Sequence, residues 1–233
     1  MNSDSVAWRG LIAEAAAIVL SILAAFSIDA WWDFRGELKE EAEVLVGLRA
    51  EFVEVADRLD GWATFNAVKA DLVSRALAED SRSLPDGAAD SLISSMPYVN
   101  VLDRGGGSLE ALLSSGRLEL IRDRELRESL ARWPDRLEDI HTNDLSVRGY
   151  VWGSVLPYMA NRGVPDGVCS GTVPFCVHKE GLPESYHEMI ADPSFRALLT
   201  HLGAAFAIIA ADHRDARDTA RALVRRIDDL LPP

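Results

Sequence analysis

The sequence predicts an all-α protein: an N-terminal transmembrane helix that continues into a long helix, packed in a soluble helical bundle of about four main helices. Three observations carry that expectation. Leu11 to Trp32 is an almost unbroken apolar stretch, "LIAEAAAIVLSILAAFSIDAWW". Beyond it, apolar residues recur in steps of three and four along several long segments, the spacing that builds one face of a helix. No segment alternates apolar and polar residues long enough to suggest a strand.

The first element rests on length and on what brackets it. A helix rises about 1.5 Å per residue, so about twenty residues cross a hydrocarbon core of about 30 Å. Residues 11–32 reach that length, and their interior, Ala15 to Ile28, holds no charge. Glu14 and Asp29 sit one turn inside the ends, where a carboxylate reaches head groups or water. Trp8 on one side, and Trp31 with Trp32 on the other, are placed as interfacial anchors. A cleaved signal peptide is the closer rival, with "AAFS" offering small residues at Ala25 and Ser27. Against it, Arg9 is the only positive residue ahead of the apolar run, and Glu14 intrudes on that run. A buried core helix would not explain the tryptophan bracket. Within the span, Ala13, Ala17, Ser21 and Ala25 recur every four residues, a small-residue face that lets two helices approach closely. Glu14 lies beside that face, either as a polar contact or ion-handling group or as a carboxylate marking the membrane edge.

The soluble part begins without a break. From Asp33 to about Glu79 a helical stripe runs Leu45, Leu48, Phe52, Val55, Leu59, Trp62, and is extended by Phe65, Val68 and Leu72. Pro85 and Gly87 end it. "RGGGS" is a loop after which Ser108 is expected to N-cap a short helix that Gly116 ends. Three glycines before a helix could cradle an anion, but the lysine and hydroxyl of a phosphate loop are missing, so a flexible turn is the plainer reading. Leu118, Leu120 and Ile121 form an apolar knot. Asp123 then N-caps a helix with the stripe Leu126, Leu130, Trp133, Leu137, Ile140, Asp144, Val147, Val151, which Pro134 should kink or split. Asn161 to Pro183 reads as a long loop. Asp192 and Pro193 start the last helix, whose stripe runs Phe195, Leu198, Leu202, Phe206, Ile209, His213, Ala216, Ala220, Leu223, Ile227, Leu230. The expected organisation is a short N-terminal tail at 1–10, the transmembrane helix at 11–32, and an extracytoplasmic helical domain at 33–233 with a cysteine-tied loop near 161–183.

Charge excludes some functions. Thirty-seven acids against 24 Lys and Arg leave a net charge of −13. A nucleic-acid binder needs a basic surface to displace counterions, so no nucleic-acid partner is expected. Cys169 and Cys176, in "CSGTVPFC", are spaced to close a disulfide loop in an oxidising compartment. Free thiols in a reducing cytosol, or a metal site with His178, are the alternatives; the metal would need two further ligands. Orientation is contested. Arg35, Lys39 and Arg49 after the span outnumber Arg9 before it, which places the C-terminal side in the cytosol, whereas the cysteines favour the outside.

No catalytic, cofactor-binding or metal-ligating residues are expected, and no cofactor. None of the five histidines pairs with another at the spacing that puts two imidazoles on one helix face. His213 falls in an apolar stripe, where a hydrogen-bonded core histidine is commoner than a ligand. Ser and Cys lack the neighbours of an activated nucleophile. An enzyme is not the expected class.

The order of features carries a resemblance. A Glu leads an apolar span ending in Asp-x-Trp, an acidic helix follows with "LVGLRAEF", and then comes "LEALLSSGRLELIRDRELRESLARW". The most specific part is Ser115 to Ile121, followed by an Arg-Glu-Leu helix start. This resembles a family of uncharacterised bacterial inner-membrane proteins with one N-terminal span, a helical soluble domain of unknown function and no established activity. The resemblance implies that Glu14 and Asp29 are characteristic of the anchor and that the N-terminus lies in the cytosol. It supplies no catalytic residues. The expected function is that of a single-pass, membrane-anchored interaction or scaffold protein of the bacterial inner membrane with a periplasmic C-terminal domain. Its partners would be the lipid bilayer and either a second copy, giving a homo-oligomer, or another membrane protein. The alternatives are a ligand-sensing bundle with a pocket near Trp133 and Trp152, its small-molecule ligand unspecified, and an oligomeric pore or accessory subunit using Glu14.

Overall fold

The computed structural model describes residues 4–78, 85–103, 107–162 and 186–231. Three long helices organise them, and short helices close the ends. Helix α1 (Asp4–Leu77) runs 74 residues without interruption, roughly 110 Å at 1.5 Å per residue. Helix α2 (Asp86–Ser95) and helix α3 (Ser108–Ser114) follow, then a 3-10 turn at Leu118–Leu120. Helix α4 (Arg124–Tyr150) passes through a π-helical turn, Val151–Val155, into α5 (Leu156–Arg162). Helix α6 (Tyr186–Ala191) leads into α7 (Pro193–Leu230). No strand occurs among the described residues, so the all-α class holds. Among the described residues three helices are longer than twenty residues, where about four main helices are expected.

Helices α1 and α7 pair antiparallel. Arg49 meets Asp228, Asp60 meets Arg217, Asn66 meets His213, and Arg196 reaches the carbonyl of Ala76. The pairing follows from the sequence of α7. Among its buried residues, Phe195, Leu199, Leu202, Phe206, Ile209, His213, Ala216, Ala220, Leu223 and Ile227 alternate steps of four and three, with Ala210 buried beside them. That 3.5-residue period keeps one seam toward a partner helix. Leu199 rather than Leu198 takes the first step, and Leu230 lies exposed beyond the seam. Helix α4 also runs antiparallel to α7, with Asp123 at Arg226 and Tyr150 at the Leu198 carbonyl. It is therefore parallel to α1, and Trp133 packs edge-on against Phe52 at 5.2 Å.

Several local expectations are met. Asp123 accepts the Leu126 N–H at 2.8 Å and Asp192 the Ser194 N–H at 2.7 Å, each satisfying a donor that a helix start leaves free. Gly116 adopts φ +69°, the left-handed conformation that ends a helix. Two expectations are corrected. Ser108 is the first residue of α3, not its cap; Glu51 of α1 accepts the Leu109 N–H at 3.1 Å instead. The chain's own carboxylate thus occupies the place proposed for an anion. Pro134 neither splits α4 nor ends it. Its ring lies on the exposed side of the helix.

Where α1 enters the bundle, arginines from the 3-10 turn region fasten to its acidic face. Arg117 pairs with Glu40, and Arg122 with Glu37 and Glu41. The Arg122 guanidinium also lies 4.5 Å from the Phe34 ring centroid. Exposed pairs of this kind add little singly, but together they fix how the turn abuts α1.

Candidate functional site

The buried core divides into two apolar clusters. One gathers around Leu48, Phe52, Leu59, Leu130, Trp133 and Leu223; the other around Val73, Ile93, Met96, Val151, Phe195 and Phe206. At their boundary lie the buried polar residues among those described: Asn66, Lys69, Asp144 and His213. This polar layer is the candidate site.

The same repeat that builds the core puts them there. Continuing Leu45, Leu48, Phe52, Val55, Leu59, Trp62 in unchanged steps leads to Asn66, Lys69, Val73 and Ala76, all buried. Of the expected extension, Leu72 is buried, but Phe65 and Val68 fall beside the seam: Val68 is 52% exposed and Phe65 only partly buried. Hydrophobicity led off the seam because the seam itself turns polar.

His213 is held from both sides. Its Nε2 lies 3.1 Å from Asp144 Oδ1 and 3.3 Å from Oδ2, and the better-aligned hydrogen bond goes to Oδ2. Its Nδ1 faces Asn66 Nδ2 at 3.5 Å, and the Trp62 ring lies 5.7 Å away. A carboxylate fixes the proton on Nε2, so Nδ1 is the acceptor for the asparagine amide. Asn66 Oδ1 is left buried without a hydrogen-bond partner among the described residues. Asp144 Oδ2 also accepts the Leu102 N–H at 3.0 Å, and the Leu102 carbonyl accepts from His141 Nδ1 at 2.6 Å.

Lys69 is 1% exposed. Its Nζ donates to the Tyr98 carbonyl at 2.5 Å and lies 4.6 Å and 4.3 Å from the Phe65 and Phe206 ring centroids. Those rings attract a cation, but no carboxylate pairs with it among the described residues. Burial lowers the ammonium to about 7 from its ordinary 10.5.

An Asp–His pair is the orienting half of many hydrolytic sites. Here the imidazole's other nitrogen meets an amide, which is no nucleophile, and both partners are fully buried. The chemistry this layer can perform is proton exchange and hydrogen-bond switching rather than attack on a substrate. No group of three or more potential metal ligands gathers among the described residues.

The other expected sites fall elsewhere. Glu14, Ser21, Ala25 and Asp29 lie exposed on α1. Ala13 and Ala17 belong to the same helix, but their side chains lie outside the described set, and so do Cys169 and Cys176 with their loop. Trp133 is buried against Phe52 while Trp152 is 50% exposed, so the two do not line one pocket. One groove of about 570 Å³ lies between α1, α3 and α4, with Glu51, Glu54, Arg58, Asp103, Glu110 and Pro134 on its walls. Among the described residues, α7 is the helix apolar and long enough to cross a membrane, with mean hydropathy 1.5 in its most apolar window. A third of that window is buried and its seam faces α1, as in the core helix of a bundle. No family model, curated protein or solved structure matches this chain.

Proposed function

We propose that this protein is a single-pass, membrane-anchored interaction or scaffold protein of the bacterial inner membrane, with its N-terminus inside and its helical domain in the periplasm. One observation carries the anchor. From Ile18 to Phe34 the large apolar side chains of α1 stand about half exposed or more on every side of the helix, with Leu20 at 66% and Phe26 at 68%. A surface helix of a soluble protein hides its apolar stripe, whereas a helix apolar all round calls for an apolar surrounding. Trp31 and Trp32 stand at the end of that stretch, at the depth where indoles favour the interface. Residues 11–32 are the proposed span. The same helix then enters the bundle without a flexible joint, which suits a scaffold held at a set distance from the bilayer. The periplasmic assignment rests on the cysteine pair and on the family resemblance.

C-terminal fusions test the reading. Alkaline-phosphatase activity without fluorescence from a cytosolic reporter, in membranes that keep the protein through alkaline carbonate washing, is the expected result. Release by carbonate would sink the anchor, and fluorescence without phosphatase activity would reverse the orientation. Association through Ala13, Ala17, Ser21 and Ala25 is checked by disulfide crosslinking of Ala17→Cys and Ser21→Cys variants. A span that stays uncrosslinked in membranes would remove that part of the proposal.

A further inference from the structure

Between α2 and α3 the chain crosses the bundle as a strap, residues 98–103, with no regular secondary structure of its own. Buried backbone groups need partners, and a strap has few of its own. Here the polar layer supplies them. Lys69 of α1 donates to the Tyr98 carbonyl, Asp144 of α4 accepts the Leu102 N–H, and His141 of α4 donates to the Leu102 carbonyl. Through Asp144 the strap also reaches His213 of α7. Leu102 is buried in one apolar cluster and Val99 packs on the other, so the strap spans the boundary that the polar layer occupies.

We infer that this strap is a proton-sensitive latch: the polar layer holds it closed across the bundle, and closing it is coupled to loss of a proton from Lys69. The closed strap completes the burial of an amine that has two rings and a carbonyl around it but no carboxylate partner among the described residues. Opening the strap lets water reach the amine and restores its charge at little cost. Among the described residues, the charged and titratable groups at the layer are Asp144 and His141 from α4 and His213 from α7, with Asp103 at the strap's end; Leu92 and Ile93 of α2 are buried in one of the two flanking apolar clusters. His141 donates from Nδ1 as a neutral tautomer and as a cation, so its tether does not depend on its charge. Lys69 is the group whose protonation opposes closure, because the closed strap holds its amine out of water with a carbonyl and two rings but no carboxylate partner among the described residues. Its lowered value of about 7 sets the pH above which closure strengthens.

Amide hydrogen exchange on the full chain in detergent tests the latch, with rates corrected for the intrinsic pH dependence of exchange. The amides of 99–103 are expected to exchange by local opening, faster than the amide of Ile209 in α7. Their protection should stay level from pH 6 to 7 and then rise roughly tenfold per pH unit up to pH 9, as one linked proton requires. Lys69→Met should level that slope; Lys69→Gln, which keeps a donor for Tyr98, serves if the methionine variant does not fold. A wild-type strap whose protection is flat with pH overturns the inference. So does a strap that exchanges only together with Ile209, or a slope unchanged by either substitution.

Discussion

Lys69 is the residue whose burial is hardest to reconcile with stability alone. In the unfolded chain its amine is ordinary, near 10.5, and in the fold it lies near 7. Between those values the unfolded state binds more protons, so stability rises with pH across that window. Below about pH 7 both states are charged and the full desolvation penalty is present. Lys69→Met removes it, since a buried unpaired charge replaced by an apolar side chain of similar length stabilises. The expected gain is roughly 3–5 kcal/mol at pH 6, shrinking steadily toward pH 10. Urea unfolding of both proteins at pH 6 and 9 measures it, and an equal difference at the two pH values would show that the amine is not depressed. The residues of this layer were legible to different degrees. His213 and Asp144 both fall on their helices' apolar stripes, so a hydrogen-bonded core histidine could be read from spacing. Its partner could not, because the two lie 69 residues apart and no local pattern links them. Asn66 and Lys69 were concealed because a search for apolar residues steps over polar ones, even where the three-four rhythm points straight at them.

Helix ends were the most readable elements, because capping chemistry is local. Asp123, Asp192 and Gly116 act within three residues of themselves. Ser108 failed for the complementary reason: Glu51, 58 residues away, reaches α3 first. The π-helical turn at Val151–Val155 had no marker that separates it from ordinary helix, whereas Pro134, the obvious marker, does not interrupt α4. Glycines make the same contrast measurable. A Cβ on Gly203 of α7 would stand 2.6 Å from Val73 Cγ1 of α1, inside the closest part of the antiparallel pair. At Gly61 of α1 and Gly149 of α4 it would meet nothing within 4 Å. Gly203→Ala is therefore expected to cost about 1–3 kcal/mol through overpacking. Gly61→Ala and Gly149→Ala are each expected to gain about 0.5–1 kcal/mol from helix propensity. Equilibrium unfolding separates the three variants, and a neutral Gly203→Ala would mean that the seam has slack the packing does not suggest.

At the scale of the whole molecule, α1 has an exposed first part and a packed second part. The first fully buried residue of α1 is Leu45, and the residues before it are exposed or partly so wherever they are described. Contact between the lower part of α1 and the bundle runs through a narrow collar, chiefly Phe34, Glu37, Glu40 and Glu41 with Arg117 and Arg122. All of that collar lies after Trp32. The bundle's two apolar clusters and its polar layer lie later still along α1. Stability and membrane attachment should therefore separate cleanly at that point. A chain beginning at Asp33 is expected to stay in solution without detergent and to unfold cooperatively within about 2 °C of the full-length protein, because no core residue is lost. The full-length chain should need detergent or lipid, since no described residue of the bundle covers the exposed apolar surface from Ile18 to Phe34. Thermal unfolding of the two forms, with and without detergent, decides between the possibilities. A full-length chain equally soluble without detergent would mean that another surface covers this helix, and would remove the physical basis for an anchor. A shortened chain that melts far lower would mean that the residues before Asp33 support the bundle.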